Sequence, residues 1–283
     1  MTPDWTTLVS APALATALRR DDLIVLDARF SLAQPGQGEA AYRDAHIPGA
    51  RYADLDRDLS DHRKRDAGRH PWPDAAGFSA TLSRWGITGQ HQVVVYDAAD
   101  GALAAARAWF LLRALGHQRA AVLDGGWAHW IALGLPVDAA LPDPAPTRYD
   151  GQFDPERLLD SDAVQRHLDA GGVLLDARAG ERFRGEVEPL DRVAGHVPGA
   201  RNRPYSDNLR DGRFKPAAEL ASEFALLPGA RRPAEVVAMC GSGVTACHHL
   251  LAMEHAGLSG AKLFTGSWSG WISDPSRGVA RGA

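Results

Sequence analysis

The apolar positions of this 283-residue chain gather into short unbroken runs instead of the alternation of a half-exposed sheet. The runs cover residues 23–26, 93–96 and 121–123, and again 173–175, 236–239 and 262–264. Between them the spacing turns helical. Residues 102–115 offer Leu103, Trp109, Leu112 and Leu115 to one face, and residues 244–255 offer Val244, Cys247, Leu250 and Leu251. Apolar strands separated by helices predict an α/β fold, with each parallel sheet covered by helices on both faces.

The pattern occurs twice. Leu26-Asp27-Ala28-Arg29 returns as Leu175-Asp176-Ala177-Arg178. His46-Ile47-Pro48-Gly49-Ala50-Arg51 returns as His196-Val197-Pro198-Gly199-Ala200-Arg201. The run ending in Tyr96-Asp97 matches the run ending in Met239-Cys240, and Gly125-Gly126-Trp127 matches Gly266-Ser267-Trp268, with Trp130 and Trp271 three residues on. Four landmarks in one order predict two copies of one domain; solenoid periods are shorter, about 20–50 residues. Leu141-Pro142-Asp143-Pro144-Ala145-Pro146-Thr147 reads as a stiff extended connection. The expected division is residues 1–140, a linker at 141–152, and residues 153–283.

Composition narrows the function only by exclusion. A net charge of −4 argues against nucleic acid as a partner. No apolar run approaches the roughly 18 residues of a membrane span, and Met1-Thr2-Pro3-Asp4-Trp5 lacks the features of a secretion signal. Two cysteines, Cys240 and Cys247, make no disulfide framework. A reducing cytoplasm is the expected compartment.

Cys240 carries the chemistry. It ends an apolar run and is followed by Gly241-Ser242-Gly243-Val244-Thr245, then by a helical pattern. A cysteine there faces loop N–H groups and a helix N-terminus, which favour the thiolate, the reactive form. A phosphatase-type cradle would need arginine six positions on, where Ala246 stands. A redox dithiol is disfavoured, because Cys247 is about two helical turns away. Cys247-His248-His249 fan around a helix and make no zinc site. Cys247 is expected as a core residue.

The Cys-Gly-Ser-Gly-Val-Thr loop, the paired domains and both His-x-Pro-Gly-Ala motifs resemble the tandem-domain rhodanese family, on the side of its 3-mercaptopyruvate sulfurtransferases. The resemblance spans nearly the whole chain. It implies two rhodanese-like domains, only the second catalytic, and a ping-pong reaction. In that reaction Cys240 takes a sulfane sulfur as a persulfide and passes it to a thiol, such as thioredoxin, or to cyanide, with no metal or organic cofactor. The N–H groups around Gly241, Gly243, Val244 and Thr245 would hold the persulfide anion. Thiosulfate-preferring members resemble Cys-Arg-Lys-Gly-Val-Thr here. With Gly241 and Ser242 in place of those cations, the loop is expected to favour a monocarboxylate donor, 3-mercaptopyruvate, over thiosulfate.

The resemblance also implies a proton relay of Ser242, His70 and Asp56, with His62 as the fallback for the histidine. It makes Arg182, in Glu181-Arg182-Phe183-Arg184-Gly185, the substrate arginine. The family's second arginine stands in a Glu-Pro-Arg context, whereas this chain reads Glu188-Pro189-Leu190-Asp191-Arg192, so Arg192 is the candidate at a shifted position. Asp27 and Asp176 are expected to accept turn N–H groups. His46, His196 and the four tryptophans are expected to serve the fold. Asp97 occupies the first copy's counterpart of Cys240 and cannot form a persulfide, so that copy is expected to be silent.

Overall fold

A computed structural model describes residues 4–227 and 232–282. The chain forms two compact units. In the first, strands β1 (Leu8–Val9), β2 (Leu23–Asp27), β3 (Arg51–Tyr52), β4 (Gln92–Tyr96) and β5 (Ala120–Leu123) form a sheet in the order β1-β5-β4-β2-β3. In the second, β6 (Leu158–Leu159), β7 (Val173–Asp176), β8 (Arg201–Asn202), β9 (Val236–Met239) and β10 (Lys262–Phe264) repeat that order as β6-β10-β9-β7-β8. The ladders of both sheets are parallel. Helices α1 (Ala11–Ala17), α2 (Gln37–Asp44), α3 (Ala75–Arg84), α4 (Ala105–Ala114) and α5 (Gly126–Ala132) flank the first sheet. Helices α6 (Ser161–Asp169), α7 (Gly180–Phe183), α8 (Ala217–Ala225), α9 (Ala246–His255) and α10 (Ser267–Trp271) flank the second.

Both faces of each sheet are buried, which is why the strands read as unbroken apolar runs. Successive residues point to opposite faces, so Val237 and Met239 join Val164, Leu174, Phe264, Trp268 and Trp271 in one core layer. Val94 and Tyr96 do the same with Val25, Leu123 and Trp130 in the first unit. Helix α4 is buried along almost its whole circumference, and Leu103 lies before it and is exposed. The one-sided face expected for residues 102–115 is therefore replaced by a central helix that starts at Ala105.

The repeated motifs are fold devices. Asp27 and Asp176 each accept the N–H two residues on, at 3.0 Å, and each also grips that residue's guanidinium, Arg29 or Arg178, at 2.7 Å. The same arginines stack over Trp127 and Trp268. Pro48-Gly49 and Pro198-Gly199 form turns closed by Ala50 N–H to Ile47 O and Ala200 N–H to Val197 O, both 2.9 Å. Gly49 and Gly199 take φ of +74° and +85°, which only glycine adopts cheaply. His46 and His196 pair by backbone with Asp138 and Ala280, and their Nδ1 atoms contact the carbonyls of Tyr42 and Phe183.

The units are not contiguous in sequence. Residues 62–72 pack within the second unit, and residues 211–214 within the first. The stretch 62–72 is pinned by Arg69 N–H to Ser269 Oγ, 2.9 Å, and by Ser273 Oγ–H to Asp66 O, 3.0 Å. At Gly68, with φ +92°, a Cβ would lie 2.6 Å from Gly266 O, so the close approach requires glycine. The proline-rich stretch hydrogen-bonds to the first unit, through Thr147 N–H to Ser83 O and Tyr149 N–H to Ser83 Oγ.

Candidate active site

Cys240 leaves the carboxyl end of β9, and the loop 241–245 leads into α9. Ligands of parallel α/β sheets gather at that end. The cysteine is 3% exposed. Its backbone is held from α10: Cys240 N–H donates to Ser267 Oγ at 3.1 Å, and Cys240 O accepts from Trp268 N–H at 3.0 Å. Ser267 is fully buried with φ +49°, a strained value for a residue with a side chain, and its hydroxyl also donates to Phe264 O. Nothing in the sequence marks Ser267 apart from its place in the repeat, where the first copy has Gly126 at φ +52°.

The two copies treat this loop differently. In the first, Asp97 follows β4 and its carboxylate accepts five N–H groups, from Ala99, Gly101, Leu103, Ala104 and Ala105, at 3.0–3.3 Å. Burial pushes its carboxyl up in pKa, and the loop N–H groups oppose that. In the second, the N–H groups of Gly241, Ser242, Val244 and Thr245 donate to no group of the described residues. Gly243, at φ +75°, turns the loop. The strand-to-helix corner thus gathers donors onto an anion in one copy and, in the other, leaves the N–H groups after the cysteine without an acceptor among the described residues.

His70 comes into the second unit with residues 62–72. Its Nδ1 lies 2.8 Å from Ser242 Oγ, and the ring is 3% exposed. His62 lies beside it, ring centroids 6.4 Å apart. Asp56 belongs to the first unit, where its N–H donates to Asp54 Oδ1.

Cations stand over the glycine that follows the cysteine. A Cβ on Gly241 would be 3.0 Å from Arg69 Nη2, 3.7 Å from Arg182 Nη2 and 3.8 Å from Asp191 Oδ2. Arg69 Nη1 donates to Asp191 Oδ1 at 2.6 Å, and Arg182 Nη2 reaches Glu188 Oε1 at 2.6 Å and Asp191 Oδ2 at 3.4 Å. Burial pushes Glu188 up, but the Arg182 hydrogen bond and the N–H groups of Leu190 and Asp191 outweigh it and hold the carboxyl below its ordinary range. The Arg192 guanidinium is directed to Ile272 O. Arg69 was not singled out in the sequence, although it adjoins His70 in Gly68-Arg69-His70-Pro71. Cys247 is buried on α9, its Sγ toward Gly243 O. No group of three or more metal-ligating side chains is present among the described residues, and no helix there is long and apolar enough to cross a membrane.

A tandem α/β repeat with one thiol at a strand-to-helix corner defines a class of protein. The rhodanese-like domain model matches residues 10–133 and 160–274, and the chain belongs to the rhodanese family as a sulfurtransferase. Over 279 residues it is 49% identical to the "Probable 3-mercaptopyruvate sulfurtransferase" of Pseudomonas aeruginosa, covering 97% of this chain and 98% of that one. It is 41% identical over 285 residues to a Mycobacterium tuberculosis protein named as a thiosulfate sulfurtransferase, SseB, covering 97% of each. The crystal structure of SseA from Escherichia coli, a 3-mercaptopyruvate sulfotransferase, superposes with a TM-score of 0.81 at 31% identity, over 94% of this chain and 100% of that one.

Proposed function

We propose that this enzyme moves sulfur from 3-mercaptopyruvate, through a persulfide on Cys240, to a thiol or to cyanide. The observation that supports this most is the open set of loop N–H groups around Cys240, beside paired guanidiniums. The thiolate attacks the donor's sulfur. The S–C bond breaks, and its electron pair goes to the donor's methylene carbon as the pyruvate enolate. The proton of the donor thiol ends on that carbon, so the products are pyruvate and Cys240–S–S⁻. Ser242, hydrogen-bonded to His70, is placed to carry that proton. The relay rests on these two residues, and Asp56 remains the residue implied by resemblance. The loop N–H groups hold the outer sulfur as Asp97 is held in the first copy. Attack by cyanide on that sulfur then releases thiocyanate and regenerates the thiolate; a thiol acceptor takes the sulfur in the same way. A reducing compartment such as the cytoplasm suits a working free thiol.

Charge supports the donor assignment. Arg69 and Arg182 are balanced by Glu188 and Asp191, so the cluster as a whole is neutral. A monoanion suits it better than a dianion. The second reading, thiosulfate as donor, is favoured by the two guanidiniums at Gly241 and by the name of the M. tuberculosis relative. Measuring kcat/KM for both donors, with cyanide as acceptor, in wild type and Cys240→Ser decides between them. The expected result is a preference for 3-mercaptopyruvate and no turnover in the variant. A preference for thiosulfate overturns the donor, and a Cys240→Ser enzyme that still turns over overturns the nucleophile.

A further inference from the structure

A serine is inserted where the sheet of the second unit opens toward α9. Met239 O turns to β7 and accepts Ala177 N–H at 2.8 Å, so Cys240 N–H and Cys240 O turn to the other side, toward β10 and α10. Ala238 pairs with Leu263, and the next bond of that ladder would run from Cys240 N–H to Phe264 O. The Ser267 hydroxyl takes its place: it accepts Cys240 N–H at 3.1 Å and donates to Phe264 O at 3.0 Å. Trp268 N–H then holds Cys240 O at 3.0 Å, and Ser269 N–H holds Gly241 O at 2.9 Å. Three consecutive residues, 267 to 269, fix the backbone on both sides of the nucleophile.

Two observations set this serine apart from core filler. It is fully buried at φ +49°, a conformation that strains a residue with a side chain and that glycine adopts freely. The first copy has glycine there, and a Cβ on Gly126 would lie 2.3 Å from Ala99 O and 2.8 Å from Asp97 O. The Asp97 corner has no room for a side chain. The Cys240 corner admits one and tolerates its strain.

Building on the function proposed above, we infer that Ser267 is a positioning residue for Cys240. Its hydroxyl spaces the end of β9 from β10 and turns the cysteine so that the sulfur meets the N–H groups of loop 241–245. It acts through the Cys240 backbone, so its effect does not depend on which donor supplies the sulfur.

The test compares Ser267→Gly, which removes the hydroxyl and the strain, with Ser267→Ala, which removes the hydroxyl alone. Three readouts are taken: kcat and KM for 3-mercaptopyruvate with cyanide, denaturant unfolding, and the rates at which iodoacetamide alkylates Cys240 and Cys247, followed by peptide mass spectrometry. Both variants are expected to lose about 3- to 10-fold in kcat, the worth of one hydrogen bond, with KM little changed. Alkylation of Cys240 slows by a similar factor, while Cys247 stays protected in the core. Ser267→Gly is the more stable of the two. Activity that follows stability, lost in Ser267→Ala and recovered in Ser267→Gly, overturns the role. So does a wild-type rate of Cys240 alkylation in Ser267→Gly, or alkylation of Cys247 alongside Cys240, which marks a loosened fold instead of a turned cysteine. Should Ser267→Ala fail to fold, Ser267→Gly decides by its kcat and its alkylation rates. A wild type inactive on 3-mercaptopyruvate refutes the proposed donor and leaves the alkylation comparison to judge Ser267.

Discussion

A carboxylate and a thiol occupy one position in two copies of the same sheet, Asp97 after β4 and Cys240 after β9. Asp97 accepts the N–H groups of its loop, whereas the N–H groups of Gly241, Ser242, Val244 and Thr245 after Cys240 are used by no described group. In Asp97→Asn the amide N–H₂ would face the donors of Leu103, Ala104 and Ala105. Each orphaned donor costs about 1–3 kcal/mol. Denaturant unfolding should show the destabilisation, while turnover per folded molecule stays at the wild-type level; a folded variant with lost turnover would contradict a silent first copy. At this scale Cys240 with its loop was legible from local pattern, whereas the relay of Ser242, His70 and Asp56 and the arginines Arg182 and Arg192 were implied by resemblance, since His70 and Ser242 are 172 residues apart. Arg69 was illegible because its partner Asp191 is 122 residues away. Asp27 and Asp176 were legible as N–H acceptors but not as guanidinium partners, since Asp-x-Arg spacing does not say which way the arginine folds.

Helix α9 carries the cysteine loop and is anchored by a buried polar cluster. Asn208 Nδ2 lies 2.9 Å from Nδ1 of both His248 and His249, and His249 Nε2 donates to Arg203 O at 2.7 Å. Burial, aided by the Arg203 and His248 charges, pushes His249 down to about 3. Its folded pKa lies below that of the unfolded chain, about 6.5. The unfolded state therefore binds the extra proton as pH falls from about 6.5 toward 3, and stability is lost in that window by up to about 1.4 kcal/mol per pH unit. His249→Gln should show a shallower decline in denaturant unfolding free energy across that range than wild type. Equal slopes would mean that His249 is not the group responsible. The long central strands β2, β4, β7 and β9 were legible from their apolar runs, and so was α9. The two-residue edge strands β1, β3, β6 and β8 were not, because two residues carry no period.

The molecule is a duplication in which one copy carries Cys240 at the strand-to-helix corner and the other carries Asp97. Sheet order, the Asp-x-Arg grip, the Pro-Gly turns and the tryptophan stacks are common to both units. The repeat was legible because those devices need particular residue types at fixed offsets. The placement of residues 62–72 in the second unit was not, since this basic stretch reads as a solvated run and its partner Ser269 lies 200 residues from Arg69. If the proposed function holds, Cys240 takes up sulfur from 3-mercaptopyruvate before any acceptor binds. The most direct measurement is peptide mass spectrometry after mixing enzyme and donor without an acceptor, with pyruvate quantified in the same sample. The expected result is one added sulfur atom on the peptide position of Cys240, none on Cys247, equimolar pyruvate, and neither product in Cys240→Ser. Sulfur on Cys247, or pyruvate released by Cys240→Ser, would contradict it.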